Sequence, residues 1–195
     1  MILSSVFTIS NPKEEMAEND DILGSLEPFQ EGIITADNQD VILKLHKVFI
    51  DDFLNNTTIL DGRTVKIKPY SYNKASKDKL PEWYNGLNEK FVHIITRDIK
   101  ESKRKDSKKI REFRSERALR IHWIKPIIEN CNDKRIRRFR YTEESGRERE
   151  YFWFVEKEYI AVVEFLNPDV ALITGFCLDR DNQAYFMRKF QNGKK

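Results

Sequence analysis

The sequence predicts an α+β fold in which N-terminal helices pack on a C-terminal four-stranded antiparallel sheet. Three observations predict it. Apolar residues recur at helical spacing between Val41 and Phe53. The last third holds short aromatic and β-branched runs punctuated by turn residues, the pattern of a meander. Helical patterns come first and strands last, which layers helices on one face of a sheet.

Residues 1–36 show no sustained period and read as an acidic irregular arm. Asp37 or Asn38 caps a helix through Val41, Leu43, Leu45, Val48, Phe49 and Phe53. Residues 57–70 read as a hairpin around Asp61-Gly62, because a tight two-residue turn needs positive φ. Residues 71–89 are polar and broken by Pro81. Lys90 to Arg97 reads as a buried strand, followed over 98–114 by a charged loop. Ser115 caps a helix through Ile128, which Pro126 kinks or restarts. Ile136 to Thr142, Glu150 to Val155, Tyr159 to Phe165 and Val170 to Leu178 form the meander, and Ala184 to Phe190 closes it.

Of 195 residues, 39% are hydrophobic and 13 are Phe, enough for a packed core rather than global disorder. Cys131 and Cys177 lack any CxxC neighbourhood, so they read as free thiols of a reducing cytosol, not zinc ligands. No run approaches the ~20 apolar residues of a membrane span, and the opening segment lacks the basic flank of a signal peptide. The expected location is cytoplasmic, with no membrane partner. Residues 1–40 carry one Lys against nine Asp or Glu, so the rest of the chain is strongly basic. A basic body points to a polyanionic partner.

Two stretches concentrate the charge. Arg97 to Arg120 holds eleven Lys or Arg against five Asp or Glu, including Arg114 and Arg117. The second, from Lys134 to Arg149, includes Arg138 and Arg140, which alternate and leave one strand face together. Arginine forks suit phosphate; a solvated rim balanced by Glu143, Glu144 and Glu148 reads the same residues differently. His93 shares a strand face with Arg97, roughly 13 Å away along the strand. It reads either as a general base beside a phosphate clamp or as a core histidine satisfied by the backbone. His122 and Lys125 stand at i and i+3, while His46 reads as structural. Thr174 precedes Gly175 in an apolar strand, where glycine admits a close ligand. Nucleotide-loop, serine-hydrolase and zincin motifs are absent from the sequence.

The order Phe91-Val92-His93-Ile94-Ile95-Thr96-Arg97, Arg120-Ile121-His122-Trp123-Ile124-Lys125-Pro126, Tyr151-Phe152-Trp153 and Leu172-Ile173-Thr174-Gly175-Phe176 resembles the BECR superfamily of metal-independent RNases (barnase, EndoU, colicin and RelE-like), in its phage- and mobile-element-associated branch. The resemblance spans about residues 90–190, the core of one nuclease-like domain over 37–195. It implies His93 as acid/base, Arg97, Arg120 and Lys125 as a phosphate clamp, and Thr174 as a hydrogen-bond partner. Arg114, Arg117, Arg138 and Arg140 would bind RNA. No metal and no cofactor is implied. The expected activity is an endoribonuclease, a toxin or defence effector cutting by 2′-OH attack, with RNA and a cognate antitoxin or immunity protein as partners. A non-catalytic RNA- or DNA-binding protein, or a phage accessory module whose basic patch meets an acidic protein, uses the same charges.

Overall fold

The computed structural model describes residues 21–67, 80–100 and 109–194. Helix α1 (Gln39–Ile50) buries Ile42, Leu45 and Phe49 and runs on through a π-helical turn that buries Phe53. Asn38 precedes it, but its Oδ1 accepts from the Thr35 N–H and hydroxyl rather than capping the helix. The expected hairpin follows as β1 (Ile59–Leu60) and β2 (Arg63–Ile67). Asp61 and Gly62 both take positive φ, 48° and 75°, as a type I′ turn demands. The remainder of the expected hairpin, 68–70, lies outside the described residues.

The run expected as one strand is mostly helix. In α2 (Glu89–Ile95) the Asn88 side chain accepts from the N–H groups of Lys90 and Phe91, and this cap starts the helix. His93 therefore sits on a helix and shares no strand face with Arg97. The described ends of the charged stretch expected as a loop form a two-stranded ribbon, β3 (Thr96–Lys100) and β4 (Lys109–Phe113), in which Ile99 pairs with Ile110; 101–108 lie outside the described residues. Short α3 (Ser115–Ala118) leads through a 3₁₀ turn to α4 (Ile124–Glu129). Pro126 falls in the first turn of α4, where its missing N–H costs no helical bond.

The meander forms as β5 (Ile136–Thr142), β6 (Glu148–Phe154), β7 (Tyr159–Phe165) and β8 (Val170–Cys177). The sheet is larger than the expected four antiparallel strands. β2 adds to β8 in parallel and carries β1 with it, giving a six-stranded mixed sheet ordered β1-β2-β8-β7-β6-β5. Helices also cover both faces rather than one. Phe152 and Phe154 point into a core shared with α1, α2 and α4, whereas Tyr151 and Trp153 point into a second cluster with Phe186 of α5 (Arg180–Asn192). This period-2 split explains why β6 is buried from Glu150 to Phe154 on both sides.

The acidic arm is described over 21–36. It has no regular element, but Leu23, Leu26 and Ile34 are buried in the main core. The Glu27 carbonyl accepts from Trp123 Nε1 at 3.1 Å and lies 3.0 Å from His122 Nε2. His122 thus fastens this segment instead of facing solvent, with Phe29 packed 4.1 Å from its ring. His46 is structural as expected: its Nε2 accepts from the Asn88 N–H at 3.0 Å. Both cysteines are free.

Candidate functional site

A cleft of about 430 Å³ opens where β8 passes between α3 and α5. Thr174 and Phe176 line its floor, Arg97 and Arg117 one wall, and Asn182, Tyr185 and Phe186 the other. Arg97 lies 3.2 Å from Asp179, and both side chains are about half exposed (44% and 46%). Arg117 is held from two sides. One terminal nitrogen donates to the Thr96 carbonyl at 3.1 Å, and the guanidinium lies 5.5 Å from the Phe176 ring centre. Burial lowers its pKa, so the cation is held where water cannot fully screen it.

Behind this wall a second set of cations converges on His93. Its Nδ1 lies 3.0 and 3.1 Å from the two terminal nitrogens of Arg111, which is only 3% exposed. Guanidinium only donates, so Nδ1 accepts and the ring proton resides on Nε2. Lys90, 4% exposed, donates from Nζ to the Ile173 carbonyl at 3.2 Å. That carbonyl is available because of a bulge: Val162 pairs with Thr174 but Val163 with Leu172, leaving Ile173 as the extra residue. His93's pKa is pushed down to about 3, first by burial and then by Arg111, Lys90, Arg117 and Arg149. Cations from α2, β4, α3 and β6 thus act on one imidazole. It is neutral at ordinary pH, and Nδ1 accepts a proton only if Arg111 moves away.

Arg149 brings a carboxylate with it. Its Nε lies 3.9 Å from Glu164 Oε2, and both atoms are buried without a hydrogen-bond partner among the described residues. Unpaired buried polar atoms are costly, and they concentrate where a ligand completes them.

Of the sequence-derived candidates, Arg97, Arg117 and Thr174 meet in the cleft, and His93 stands against its cationic wall. Arg120 borders it: its guanidinium donates to the Glu116 carbonyl at 2.9 Å and lies 5.1 Å from the Trp123 ring. Lys125 is elsewhere, on α4 facing Asp52, whose pKa burial raises to about 6 against the pull of Lys125. Arg114 is paired with Glu112 at 2.7 Å. Arg138 and Arg140 share a face as expected, but it is the opposite face of the sheet. Arg138 Nε lies 2.9 Å from buried Glu150 and its terminal nitrogens bind Asp61 in the β1–β2 turn; Arg140 Nε lies 3.4 Å from Glu150. Arg138 thereby ties the hairpin to the meander.

The sequence reading missed Lys90, Arg111, Arg149 and Glu164 as members of one cluster. The one local signal is Glu164, the single charge in the otherwise apolar strand β7. Among the described residues no group of three or more His, Cys, Asp or Glu stands ready for a metal, and no helix is long and apolar enough to cross a membrane. No family model, no curated protein and no solved structure matches the chain.

Proposed function

We propose that the protein binds single-stranded RNA in this cleft. A backbone phosphate sits between Arg97 and Arg117 with the Thr174 hydroxyl beside it, and a base stacks against Tyr185, 45% exposed on the cleft wall. The observation that carries the reading is the convergence of four cations on His93, strong enough to help hold an imidazole neutral. A site that positive attracts an anion, and a repeating polyanion makes use of a wall more than one side chain long. The resemblance noted above names RNA as that polyanion. The test is fluorescence anisotropy with labelled single-stranded RNA at several salt concentrations, comparing wild type with Arg97→Gln/Arg117→Lys. Weaker binding and a shallower salt slope in the variant support the reading; unchanged binding overturns it.

A second reading adds cleavage, favoured by Glu164 Oε2, which lies beside Arg149 with no hydrogen bond among the described residues. Metal-free cleavage needs an acceptor for the 2′-OH proton and cations for the crowded phosphorane. Glu164 supplies the acceptor and the arginines the charge. O2′ then attacks phosphorus as its proton passes to Glu164, the P–O5′ bond breaks with O5′ taking a proton from a water that Glu164 then reprotonates, and a 2′,3′-cyclic phosphate and a 5′-hydroxyl remain. Incubation with total RNA in EDTA tests it. Cleavage that falls by a factor on the order of 10² to 10⁴ in Glu164→Gln supports this reading. Intact RNA with the wild-type protein leaves binding alone.

A further inference from the structure

A second cleft lies across α5 from the first. It encloses about 540 Å³ between the far ends of β5 and β6 and the helix, and includes Arg137, Trp153, Val155, Arg180 and Met187. Its floor holds an incomplete donor. Trp153 is only 4% exposed, yet its Nε1–H is buried without a hydrogen-bond partner among the described residues. Tryptophan has one polar atom, a donor, and burying it unpaired is unfavourable unless something else accepts from it.

Two cations stand over that floor. The Arg137 guanidinium is clamped between rings, 5.2 Å from the centre of Trp153 and 5.1 Å from that of Phe190. The hydrogen-bond contact of its terminal nitrogens among the described residues is Met187 Sδ at 3.8 Å, a weak acceptor. Arg180, the first residue of α5, is exposed. Among the described residues neither arginine has a carboxylate within ion-pair distance, unlike Arg135, Arg138 and Arg140, whose carboxylate partners are close. Glu158 at the rim is engaged by the Gln183 side-chain amide. The walls between these polar groups are apolar, from Val155 and Met187.

We propose that this cleft is a second nucleotide subsite, taking a phosphate on Arg137 and Arg180 and a base whose carbonyl accepts from Trp153 Nε1–H. A planar guanidinium already fixed by two rings loses little freedom on meeting a phosphate, and the apolar walls suit a base. The inference rests on the RNA-binding reading for the identity of the ligand. α5 alone separates the two clefts: Asn182 and Tyr185 face one, Gln183 and Met187 the other. With a helix diameter of roughly 10–12 Å, one strand crossing α5 reaches both.

The test uses the full chain and a 12-nucleotide single-stranded RNA. Tryptophan emission is followed in wild type and Trp153→Phe, and affinity in Arg137→Gln/Arg180→Gln and in Arg97→Gln/Arg117→Lys. Expected are RNA-induced quenching that disappears in Trp153→Phe, and a salt slope lower by ~0.7 when Arg137 and Arg180 lose their charge to one phosphate. If the first-cleft variant weakens binding while Trp153 emission and the Arg137/Arg180 variant behave as wild type without them, the subsite is overturned and the proposed function stands. If only the Arg137/Arg180 variant weakens binding, the subsite stands and the first cleft falls. Loss of neither overturns both. Thermal melting of each variant separates lost contacts from lost fold.

Discussion

Replacing Arg97 with Gln removes one cation from the cleft at almost no cost to the fold. Its partner Asp179 is 3.2 Å away, but both side chains are about half exposed, so the pair contributes at most about 1 kcal/mol. For a chain of this size that moves Tm by no more than ~4 °C. Binding responds differently. One phosphate contact on single-stranded RNA contributes ~0.7 to the log–log salt slope, so at 0.1 M salt its loss weakens affinity about fivefold. Between 50 and 200 mM salt the variant should also lose about 2.6-fold less affinity than wild type. Asp179→Asn supplies the opposite arm. Asp179 caps α5, its side chain accepting from the Asn182 N–H at 3.0 Å, and Asn caps helices as well as Asp does. The helix should therefore persist while Arg97 is released, and affinity should rise, by up to about the same fivefold. Anisotropy titrations at four salt concentrations read both. If Arg97→Gln keeps the wild-type slope and Asp179→Asn changes nothing, Arg97 does not meet phosphate.

Three further outcomes are expected. Lys189, 5% exposed, donates to both Glu143 oxygens at 2.7 and 2.8 Å and to the Tyr151 hydroxyl at 3.1 Å. Glu143→Gln should destabilise by about 3–5 kcal/mol, lowering Tm by roughly 6–20 °C, and the double variant with Lys189→Met should recover most of it. Burial acts to raise the Glu143 pKa, but hydrogen bonds from Lys189 and Tyr151 outweigh it and hold the pKa below the usual carboxylate value. Its contribution is therefore complete above the unfolded pKa and is lost as pH falls through the lower folded one, which acid titration of Tm checks. His93, with a pKa near 3, should show no NMR titration between pH 5 and 8. The unfolded chain takes up a proton there below about pH 6.5 that the folded one refuses, so stability attributable to His93 declines from pH 6.5 towards 3 and His93→Gln removes that decline. Gly175→Ala should cost about 1–3 kcal/mol in chemical denaturation, because the added methyl meets Tyr159 Oη at 2.6 Å and Ile124 Cδ1 at 2.7 Å.

The parts of the fold readable in the sequence are those whose signals are local. The Asp61-Gly62 hairpin, α1 and the four-strand meander each carry their own period or turn chemistry. Lys90 to Arg97 failed because a short apolar run has no decisive period; Asn88 was the informative residue, since its cap converts the run into a helix. In the ribbon β3–β4, charges occupy most positions, and Ile99 opposite Ile110 is too sparse an alternation to stand out. The site was less readable still. Arg97, Arg117 and Thr174 were named, but nothing local associates Arg111 and Arg149 with His93, since chain folding alone brings them together. Arg138 and Arg140 show the converse: alternation correctly put them on one face, while their partners Asp61 and Glu150 came from a distant turn and the adjacent strand.

The parallel pairing of β2 with β8 sets an order on synthesis. Val65 finds Val170 and Ile67 finds Leu172, more than a hundred residues later in the chain. As the nascent chain leaves the ribosome, the β1–β2 hairpin is complete long before the strand that receives it exists. Val65, 1% exposed once folded, waits with an open strand edge through that interval. Closing so long a loop is slow, and an exposed apolar edge in the meantime invites pairing with another chain. Translation rate and chaperone supply, rather than the stability of the finished sheet, should therefore govern how much of this protein folds at elevated expression.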